Sequence, residues 1–323
     1  MNYRSVSDLR QDMREVAHEL PPDTDLVVAV PRSGVLAANL LCLYLDVPMT
    51  DVDGLCRRDM FETGNRHERS LSIDDIGTAI VFDDSVYPGT QMAETRERVA
   101  GEDFPFDLEY GAAYVTEDGL DQVDHWGKVV PSPRVFEWNT LHHSNLENFC
   151  VDIDGVLCRD PTEAENDDGE NYLEFLSGVD PKIRPNQRIG WLVTCRLEKY
   201  REETEVWLDE HGIEYDELVM MDHPDMEARR EAGDHGAFKA EVYEETDAEL
   251  FIESTPHQAV EICERTDKPV YCFETNELIQ PGRIDETYQE ETEYLSLFRE
   301  NPVGFSIAAG EFLLRQVRAR IRR

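Results

Sequence analysis

Lysine is the scarcest charged residue in this sequence. Only five of the 31 basic residues are lysines, and 70 acidic residues bring the formal net charge to -39. This balance argues against nonspecific nucleic-acid binding, which requires lysine and arginine to neutralise phosphates. It is typical of a protein from a salt-adapted organism, because roughly 1 M salt screens charges within about 3 Å. Small anionic ligands are not excluded, since they need only local donors.

Paired cysteine motifs and long apolar runs are also missing. The seven cysteines include no CxxC pair, and several lie inside apolar stretches, which favours buried reduced thiols over disulfides or a zinc site. No signal peptide begins the chain, and no apolar run approaches the roughly 20 residues that span a bilayer. We therefore expect a cytoplasmic protein.

The chain is long enough for two domains, and its pattern repeats accordingly. Apolar strands alternate with amphipathic helices in two successive series, which predicts an α/β protein with two doubly wound, mainly parallel sheets. In the first series, 26–30 and 78–84 are buried strands, 51–78 is loop-like and 131–147 lacks periodicity. The predicted domains are 1–146, 147–275 and a helical extension over 276–323.

The helical extension changes from acidic to basic at its end, in the run EFLLRQVRARIRR. Phe312, Leu314 and Val317 share one helical face, with arginines around it. Such a helix either docks on its own domain or makes peripheral contact with the inner face of a membrane, since basic residues are attracted to anionic lipid headgroups. The oligomeric state is not predicted.

A first candidate site follows the strand TAIVFDD. Asp83 and Asp84 stand at its carboxyl end, where ligands bind in parallel sheets. We expect the two carboxylates to face ribose hydroxyls. The next six residues, together with the N-terminus of the following helix, are expected to cradle a 5-phosphate. These residues are Ser85, Val86, Tyr87, Pro88, Gly89 and Thr90.

This pattern resembles that of the type I phosphoribosyltransferases, whose signature is an apolar strand, two acidic residues and a glycine-containing turn. The earlier run VAVPRSGVLAANLL resembles the family's diphosphate-binding loop and helix, with Arg32, Ser33 and Gly34 in the loop. Pro88 and Gln91 depart from the family's usual threonines. The resemblance implies 5-phosphoribosyl 1-diphosphate as donor, with Mg²⁺ neutralising the diphosphate as it leaves. It leaves the acceptor open: Trp126, Phe136 and Trp138 either stack on a sugar or base or pack in the core.

A second candidate site begins at the run FCVDIDGVLC, in which an apolar strand leads into DxDG. It resembles the first motif of the haloacid dehalogenase superfamily. The resemblance implies that Asp152 attacks phosphorus and that Asp154 acts as the general acid and base. Later motifs follow in the family's order, with Thr194 binding phosphate, Lys239 holding its charge, and Glu253 joining both aspartates as a Mg²⁺ ligand.

This second pattern departs from its family in one place, because Ser254 and Thr255 follow Glu253 where a second acidic residue is usual. The intervals between the motifs leave no room for a large cap domain. We therefore expect an open site that suits a macromolecular or lipid-linked phosphoester, with the acidic loop EAENDDGEN or the neighbouring domain as a lid.

Together the two patterns predict a bifunctional enzyme. The first domain would attach a 5-phosphoribosyl group to a glycan or lipid-linked sugar, and the second would remove the 5-phosphate from the phosphoribosylated acceptor. This resembles the phosphoribosyltransferase and phosphatase pair that installs ribofuranose in microbial polysaccharides. The alternatives are nucleobase salvage coupled to a nucleotide phosphatase, and a donor-sensing regulatory domain fused to a phosphatase.

Overall fold

The computed structural model describes residues 1–61, 72–87, 90–228 and 233–282. Within it the chain divides into two compact units between Thr140 and Leu141. The division falls slightly before the boundary predicted near residue 146.

The first unit contains a five-stranded parallel sheet in the order β3-β2-β4-β5-β6. Alternate residues of its strands face two separate cores, one packed with α1 and α2 and the other with α3 and α4. Helices therefore cover both faces, as the doubly wound pattern predicts. The elements of this unit are β1 Asn2–Arg4, α1 Val6–Glu19, β2 Leu26–Ala29, α2 Gly34–Leu45, β3 Met49–Asp51, α3 Val52–Arg57, β4 Thr78–Val86, α4 Thr90–Ala100, β5 Asp107–Val115, β6 His125–Val129 and β7 Arg134–Phe136.

The stretch 51–78, expected to be loop-like, contains the helix α3 and a 3-10 turn at Ile73–Asp75. The helix α3 was not predicted because the stretch is rich in acidic residues, which suggested a loop. The Asp51 side chain caps it by accepting a hydrogen bond from the Gly54 N–H at 2.6 Å, and Leu55 is fully buried in the core. The prediction of a loop was wrong for this part.

A second, two-stranded parallel sheet joins β1 to β7. Strand β7 lies in the stretch that shows no periodicity, because three residues are too few to display an alternation. In its register Asn2 lies opposite Arg134 and Arg4 opposite Phe136. These four side chains therefore share one face of the small sheet.

The second unit has a six-stranded sheet in the order β10-β9-β8-β11-β12-β13, parallel except for its last pair. Strand β8 lies between β9 and β11, so the residues after it stand at the middle of the sheet's carboxyl edge. The mixed α/β class with mainly parallel sheets is confirmed. The elements are β8 Phe149–Val151, α5 Glu170–Gly178, β9 Ile189–Leu197, α6 Arg201–Glu210, β10 Tyr215–Met221, α7 His235–Glu245, β11 Leu250–Glu253, α8 Pro256–Thr266, β12 Val270–Cys272 and β13 Glu277–Ile279.

Two boundaries in this unit differ from expectation. Strand β9 continues three residues beyond Thr194, to Leu197, and Glu277–Ile279 forms a strand against β12 where the helical extension was expected to begin. The basic helix predicted near the end of the chain lies outside the described residues. No helix within the described ranges is long and apolar enough to cross a membrane.

Candidate active sites

The two predicted pieces of the first site lie against each other. Helix α2 starts at Gly34 directly beside β4, and a Cβ atom at Gly34 would lie 2.7 Å from Asp83 Oδ1 and 3.2 Å from the Phe82 carbonyl oxygen. Only glycine permits this approach without displacement. Next to it, the Ser33 hydroxyl donates a hydrogen bond to Asp84 Oδ1 at 2.8 Å. The structure thus joins segments 50 residues apart in the sequence into one cluster.

Both acidic residues are buried, and protein donors already occupy Asp84. Its Oδ2 accepts a hydrogen bond from the indole Nε1 of Trp138 at 2.7 Å, while Asp83 Oδ1 accepts one from the Asp84 N–H. Burial, followed by the charge of Asp84, raises the pKa of Asp83 well above its usual value. A ligand that reaches Asp84 must therefore share it with Ser33 and Trp138.

The aromatic residues considered for acceptor binding fall into two groups. Trp138 stacks on Phe136 with ring centroids 5.1 Å apart and planes 3° apart, and Tyr114 stacks on both rings, at 5.2 Å from Phe136 and 6.3 Å from Trp138. Phe136 is buried core, whereas Trp138 is only half-buried and reaches the acidic pair. Trp126 lies in the exposed edge strand β6. Trp138 is thus the one of the three that belongs to the site.

The strand that precedes the predicted phosphate cradle is longer than expected. Ser85 and Val86 still belong to β4, where they pair with Tyr114 and Val115 of β5, because the strand does not end at the aspartates. Tyr87 follows as an exposed residue. Pro88 and Gly89 lie outside the described residues, as does the side chain of Thr90, whose backbone begins α4.

Arg32, assigned to the diphosphate loop, lies on the same side of the unit as Trp138. Its Nη2 donates a hydrogen bond to Asn139 Oδ1 at 3.3 Å in an exposed setting, and the Pro31–Arg32 peptide bond is cis. Sequence reasoning missed another arginine of this region, Arg134, which is buried beside Val86.

The second site brings together residues from four separate segments. Asp152 follows β8, and its Oδ2 accepts a hydrogen bond at 2.8 Å from Lys239 Nζ of α7. The same ammonium group donates to Glu253 Oε2 at the end of β11, at 2.7 Å, and to Gln258 Oε1 of α8, at 3.2 Å. All but Gln258 were expected here from the order of the motifs.

The charges of this cluster are strongly coupled because it is buried. Burial acts to lower the pKa of Lys239, but Asp152 and Glu253 outweigh it, so the lysine's pKa is raised and the side chain stays protonated. Burial also raises the pKa of Asp152, against the opposing charge of Lys239. One ammonium group therefore balances two carboxyl groups, and Asp152 holds a proton more readily than an exposed aspartate does.

Asp154 has a partner that sequence reasoning missed. Arg196 is fully buried, and it donates to Asp154 from Nη2 at 2.8 Å and from Nε at 3.1 Å. Burial alone would raise the pKa of Asp154, but the charge and hydrogen bonds of Arg196 lower it. The signal that could have found it is a charged residue directly after a buried apolar run. Arg196 stands two residues after Thr194, where the pairing of β9 with β10 becomes irregular, and both side chains are fully buried.

A cavity of about 200 Å³ opens over these groups. Thr194 lies at its wall, fully buried, and its hydroxyl oxygen accepts a hydrogen bond from the Arg196 N–H at 3.2 Å. The lining is mostly polar and includes the side chains in which a phosphate would find donors. It comprises Asp152, Asp154, Asp160, Pro161, Asn166, Tyr172, Thr194, Cys195, His235, Lys239, Ser254, Thr255 and Gln258.

The acidic loop predicted as a lid does line this cavity, through Asn166. Two clamps hold it. Arg159 forms a two-pronged ion pair with Glu165, at 2.7 and 2.5 Å, and Asp168 accepts hydrogen bonds from Lys199 Nζ and the Tyr200 hydroxyl, both at 2.8 Å. The space beneath the loop is smaller than a typical drug-sized pocket of roughly 300–1,000 Å³.

The residues predicted to bind Mg²⁺ do not form a ligand set in this arrangement. Lys239 lies between Asp152 and Glu253, and Arg196 engages Asp154. Within the described part of the chain, no group of three or more His, Cys, Asp or Glu side chains is placed to hold a metal ion. The assignment of Asp152, Asp154 and Glu253 as metal ligands stays a prediction, and no step below depends on it.

No protein-family model matches the sequence, and no curated protein matches it. Among solved structures, the chain is similar to a xanthine-guanine-hypoxanthine phosphoribosyltransferase of Helicobacter pylori, at 15% identity and a TM-score of 0.34 over 43% of this chain and 91% of that one. It is also similar to a purine phosphoribosyltransferase from Pyrococcus horikoshii, at 18% identity and a TM-score of 0.33 over 42% and 92%. A third is a hypothetical protein from Neisseria gonorrhoeae with bound ppGpp, at 12% identity and a TM-score of 0.31 over 43% and 89%.

Proposed function

We propose that the chain is a bifunctional enzyme. Its first unit transfers the 5-phosphoribosyl group of 5-phosphoribosyl 1-diphosphate to an acceptor, and its second unit hydrolyses the 5-phosphate of the product. The observation that carries the proposal is the convergence in the second unit of Asp152, Thr194 and Lys239, which are distant in sequence, around one polar cavity, with Glu253 hydrogen-bonded to Lys239 behind them. A cluster of buried, charge-coupled groups at a sheet's carboxyl edge is typical of an active site.

The proposed phosphatase reaction has two steps. In the first, an Asp152 carboxylate oxygen attacks phosphorus and the bond from phosphorus to the sugar's 5-oxygen breaks, leaving an aspartyl phosphate. Lys239 and Thr194 hold the phosphoryl group, the lysine by its charge and the threonine by its hydroxyl. In the second, water attacks the phosphorus, releasing inorganic phosphate and regenerating Asp152.

Asp154 lies beside the cavity as the proton carrier of this reaction. It gives a proton to the leaving 5-oxygen and takes one from the attacking water, so that the proton count balances over one turnover. Because Arg196 lowers the pKa of Asp154, the carboxylate form is favoured, which assists the water-activating step most. Arg196 also fixes the direction of the carboxylate, since it donates from two nitrogens.

In the proposed transfer reaction the donor binds at the contact between the Arg32–Gly34 loop and the Asp83–Asp84 pair. The acceptor's hydroxyl oxygen bonds to C1 of the ribose as the bond from C1 to the diphosphate breaks, and the hydroxyl proton is released to solvent. Mg²⁺ bound with the donor would neutralise the leaving diphosphate. The buried Asp84 next to the ring stabilises the positive charge that develops on it. The half-buried indole of Trp138, bonded to Asp84, lies where it can contact donor or acceptor.

As the acceptor we propose a glycan or a lipid-linked sugar. Transfer followed by removal of the 5-phosphate leaves a ribofuranosyl group, which explains why one chain would carry both sites. The small cavity of the second unit supports this order, because it accommodates a pentose 5-phosphate end while the remainder of the acceptor stays outside.

The phosphatase half is tested with methyl β-D-ribofuranoside 5-phosphate in high salt, by measuring phosphate release with and without Mg²⁺. We expect the wild type to release phosphate and Asp152→Asn to lose at least about 10³-fold in rate, since the nucleophile is removed. Asp84→Asn, a matched change in the other unit, should retain full activity. Equal rates for Asp152→Asn and the wild type would overturn the proposal.

A further inference from the structure

Arg134 is a buried cation next to the first site that the proposed reaction does not yet use. It lies on β7 with 9% of its surface exposed, and its Nη2 donates a hydrogen bond to the Val86 carbonyl oxygen at 3.3 Å. Its guanidinium carbon lies 5.3 Å from the ring centroid of Phe136 and 5.7 Å from that of Tyr87. The other terminal nitrogen, Nη1, is buried and has no hydrogen-bond partner within the described chain.

A buried guanidinium destabilises the folded protein unless its N–H groups have hydrogen-bond acceptors. A guanidinium carries five N–H donors, and a buried donor of a charged group without a partner destabilises the fold more than an uncharged one. The charge of Asp84 acts on Arg134, but hydrogen bonds from Ser33 and Trp138 occupy both oxygens of that carboxyl group. Burial accordingly lowers the pKa of Arg134, with Asp84 opposing. Among the described residues, none accepts a hydrogen bond from Nη1.

The position of Arg134 indicates which anion would accept this hydrogen bond. Val86 ends β4 and Tyr87 follows it, so the guanidinium lies at the carboxyl end of a central parallel strand. Ligands bind at this end of the strands in open parallel sheets. The strand end is also the start of the cradle expected to hold a 5-phosphate.

We infer that Arg134 binds the 5-phosphate of the donor, with Nη1 donating a hydrogen bond to a phosphate oxygen. This inference rests on the proposed transferase function and adds a binding residue to it. The 5-phosphate would then be held by a side chain from the small β1–β7 sheet. Because Arg32 lies on the other predicted loop, loss of Arg134 should affect the 5-phosphate and leave recognition of the diphosphate unchanged.

Calorimetric titration of the full chain in high salt with Mg²⁺ tests this, using two probes, 5-phosphoribosyl 1-diphosphate and inorganic diphosphate. We expect Arg134→Gln to weaken donor binding by about tenfold or more, as for a lost charged hydrogen bond, with diphosphate binding unchanged. The matched control is Arg96→Gln. Arg96 also stacks on an aromatic ring, that of Tyr110 at 3.6 Å, and donates to a backbone carbonyl, but that carbonyl belongs to Gln122.

The outcomes separate the two claims. If the wild type binds neither probe, the proposed transferase function fails and this inference with it. If the wild type binds the donor and Arg134→Gln binds it equally well, or loses both probes alike, the inference alone is overturned. Should Arg134→Gln not fold, Arg134→Lys and a crystal structure of the wild type with donor decide: a phosphate oxygen within about 3 Å of Nη1 supports it, and a phosphate bound elsewhere overturns it.

Discussion

At the scale of single residues, two buried cations organise the second site in different ways. Lys239 is shared between Asp152 and Glu253, so its charge stays available to a phosphoryl group that reaches Asp152. Arg196 is committed to Asp154 by two nitrogens and has no exposed surface. Lys239 therefore faces the chemistry, whereas Arg196 acts through the carboxylate that it positions.

We predict that Arg196→Met destabilises the protein by about 3 kcal/mol at neutral pH, because Asp154 is left as a carboxylate without its buried partner. In the wild type the pKa of Asp154 is below its unfolded value of about 3.9, so the pair's contribution is present above that pH and lost on acidification. In the variant the charge and hydrogen bonds of Arg196 are gone, and burial raises the pKa of Asp154 against only the Cys158 hydrogen bond and the charge of Lys239, so the loss should shrink as the pH falls and Asp154 takes up a proton.

Urea unfolding in high salt at pH 7 and pH 4.5 measures both effects. Arg188→Met is the control, since Arg188 pairs with Glu214 at the surface, where ion pairs contribute at most about 1 kcal/mol. The double variant Asp154→Asn/Arg196→Met should lose less stability than Arg196→Met alone. If Arg196→Met and Arg188→Met lose the same free energy of unfolding, the buried Asp154–Arg196 pair contributes no more to stability than a surface ion pair does.

At the scale of elements, the first site depends on how closely α2 approaches β4. The helix starts with Gly34 against the backbone of Phe82 and Asp83, and this contact places the Ser33 hydroxyl on Asp84. Any side chain at Gly34 would separate the two elements and disrupt the hydrogen bond that joins the two loops.

We predict that Gly34→Ala costs about 1–3 kcal/mol in the free energy of unfolding, as overpacking does, and weakens donor binding. Gly178→Ala is the matched control, because a Cβ there meets nothing within 4 Å at the end of α5; it should be neutral or slightly stabilising. Denaturant unfolding and donor titration of both variants provide the comparison. Wild-type stability and affinity in Gly34→Ala would mean that the contact is not tight.

Sequence patterns located most elements of both sheets and the residues that follow them, because buried strands are continuous apolar runs and a polar residue at their end is conspicuous. Sequence patterns failed to predict the structure where tertiary contacts determine it. The strand β4 continues past Asp84 since β5 pairs with Ser85 and Val86, and α3 is stabilised by a buried Leu55 inside an acidic stretch. The contact between Trp138 and Asp84 joins residues 54 apart, which no local pattern encodes.

The difference between local patterns and tertiary contacts also explains why Arg196 of the second site was not predicted. Asp152, Lys239 and Glu253 can each be found from the local sequence, because each is a charged residue within or directly after an apolar strand or helix. Arg196 carries the same signal but lies beyond the point at which the strand was expected to end. Its role became visible only when the structure placed it against Asp154.

At the scale of the whole molecule, the large negative net charge determines the salt concentration at which the protein should be assayed. With 70 acidic and 31 basic residues, the folded chain repels itself unless salt screens the surface. The buried ion pairs of the second site are shielded from bulk salt far more than the surface is. Stability should therefore respond to salt more strongly than the geometry of that site does.

We predict that the melting temperature rises as KCl increases from about 0.1 M to about 1 M, over which the screening length falls from about 10 Å to about 3 Å. Circular dichroism at constant pH measures it. The rise should be steepest at the low end of this range, where screening changes most. A melting temperature that is independent of KCl would contradict the account of a salt-adapted surface.

The most direct test of the two-site account is a calorimetric titration with 5-phosphoribosyl 1-diphosphate in high salt with Mg²⁺. The account predicts that the wild type and Asp152→Asn bind the donor equally, while Asp84→Asn binds it at least about tenfold more weakly because a charged hydrogen-bonding group at the site is lost. Absence of donor binding in the wild type, with phosphatase activity intact, would contradict it and reduce the protein to a phosphatase with an inactive first unit.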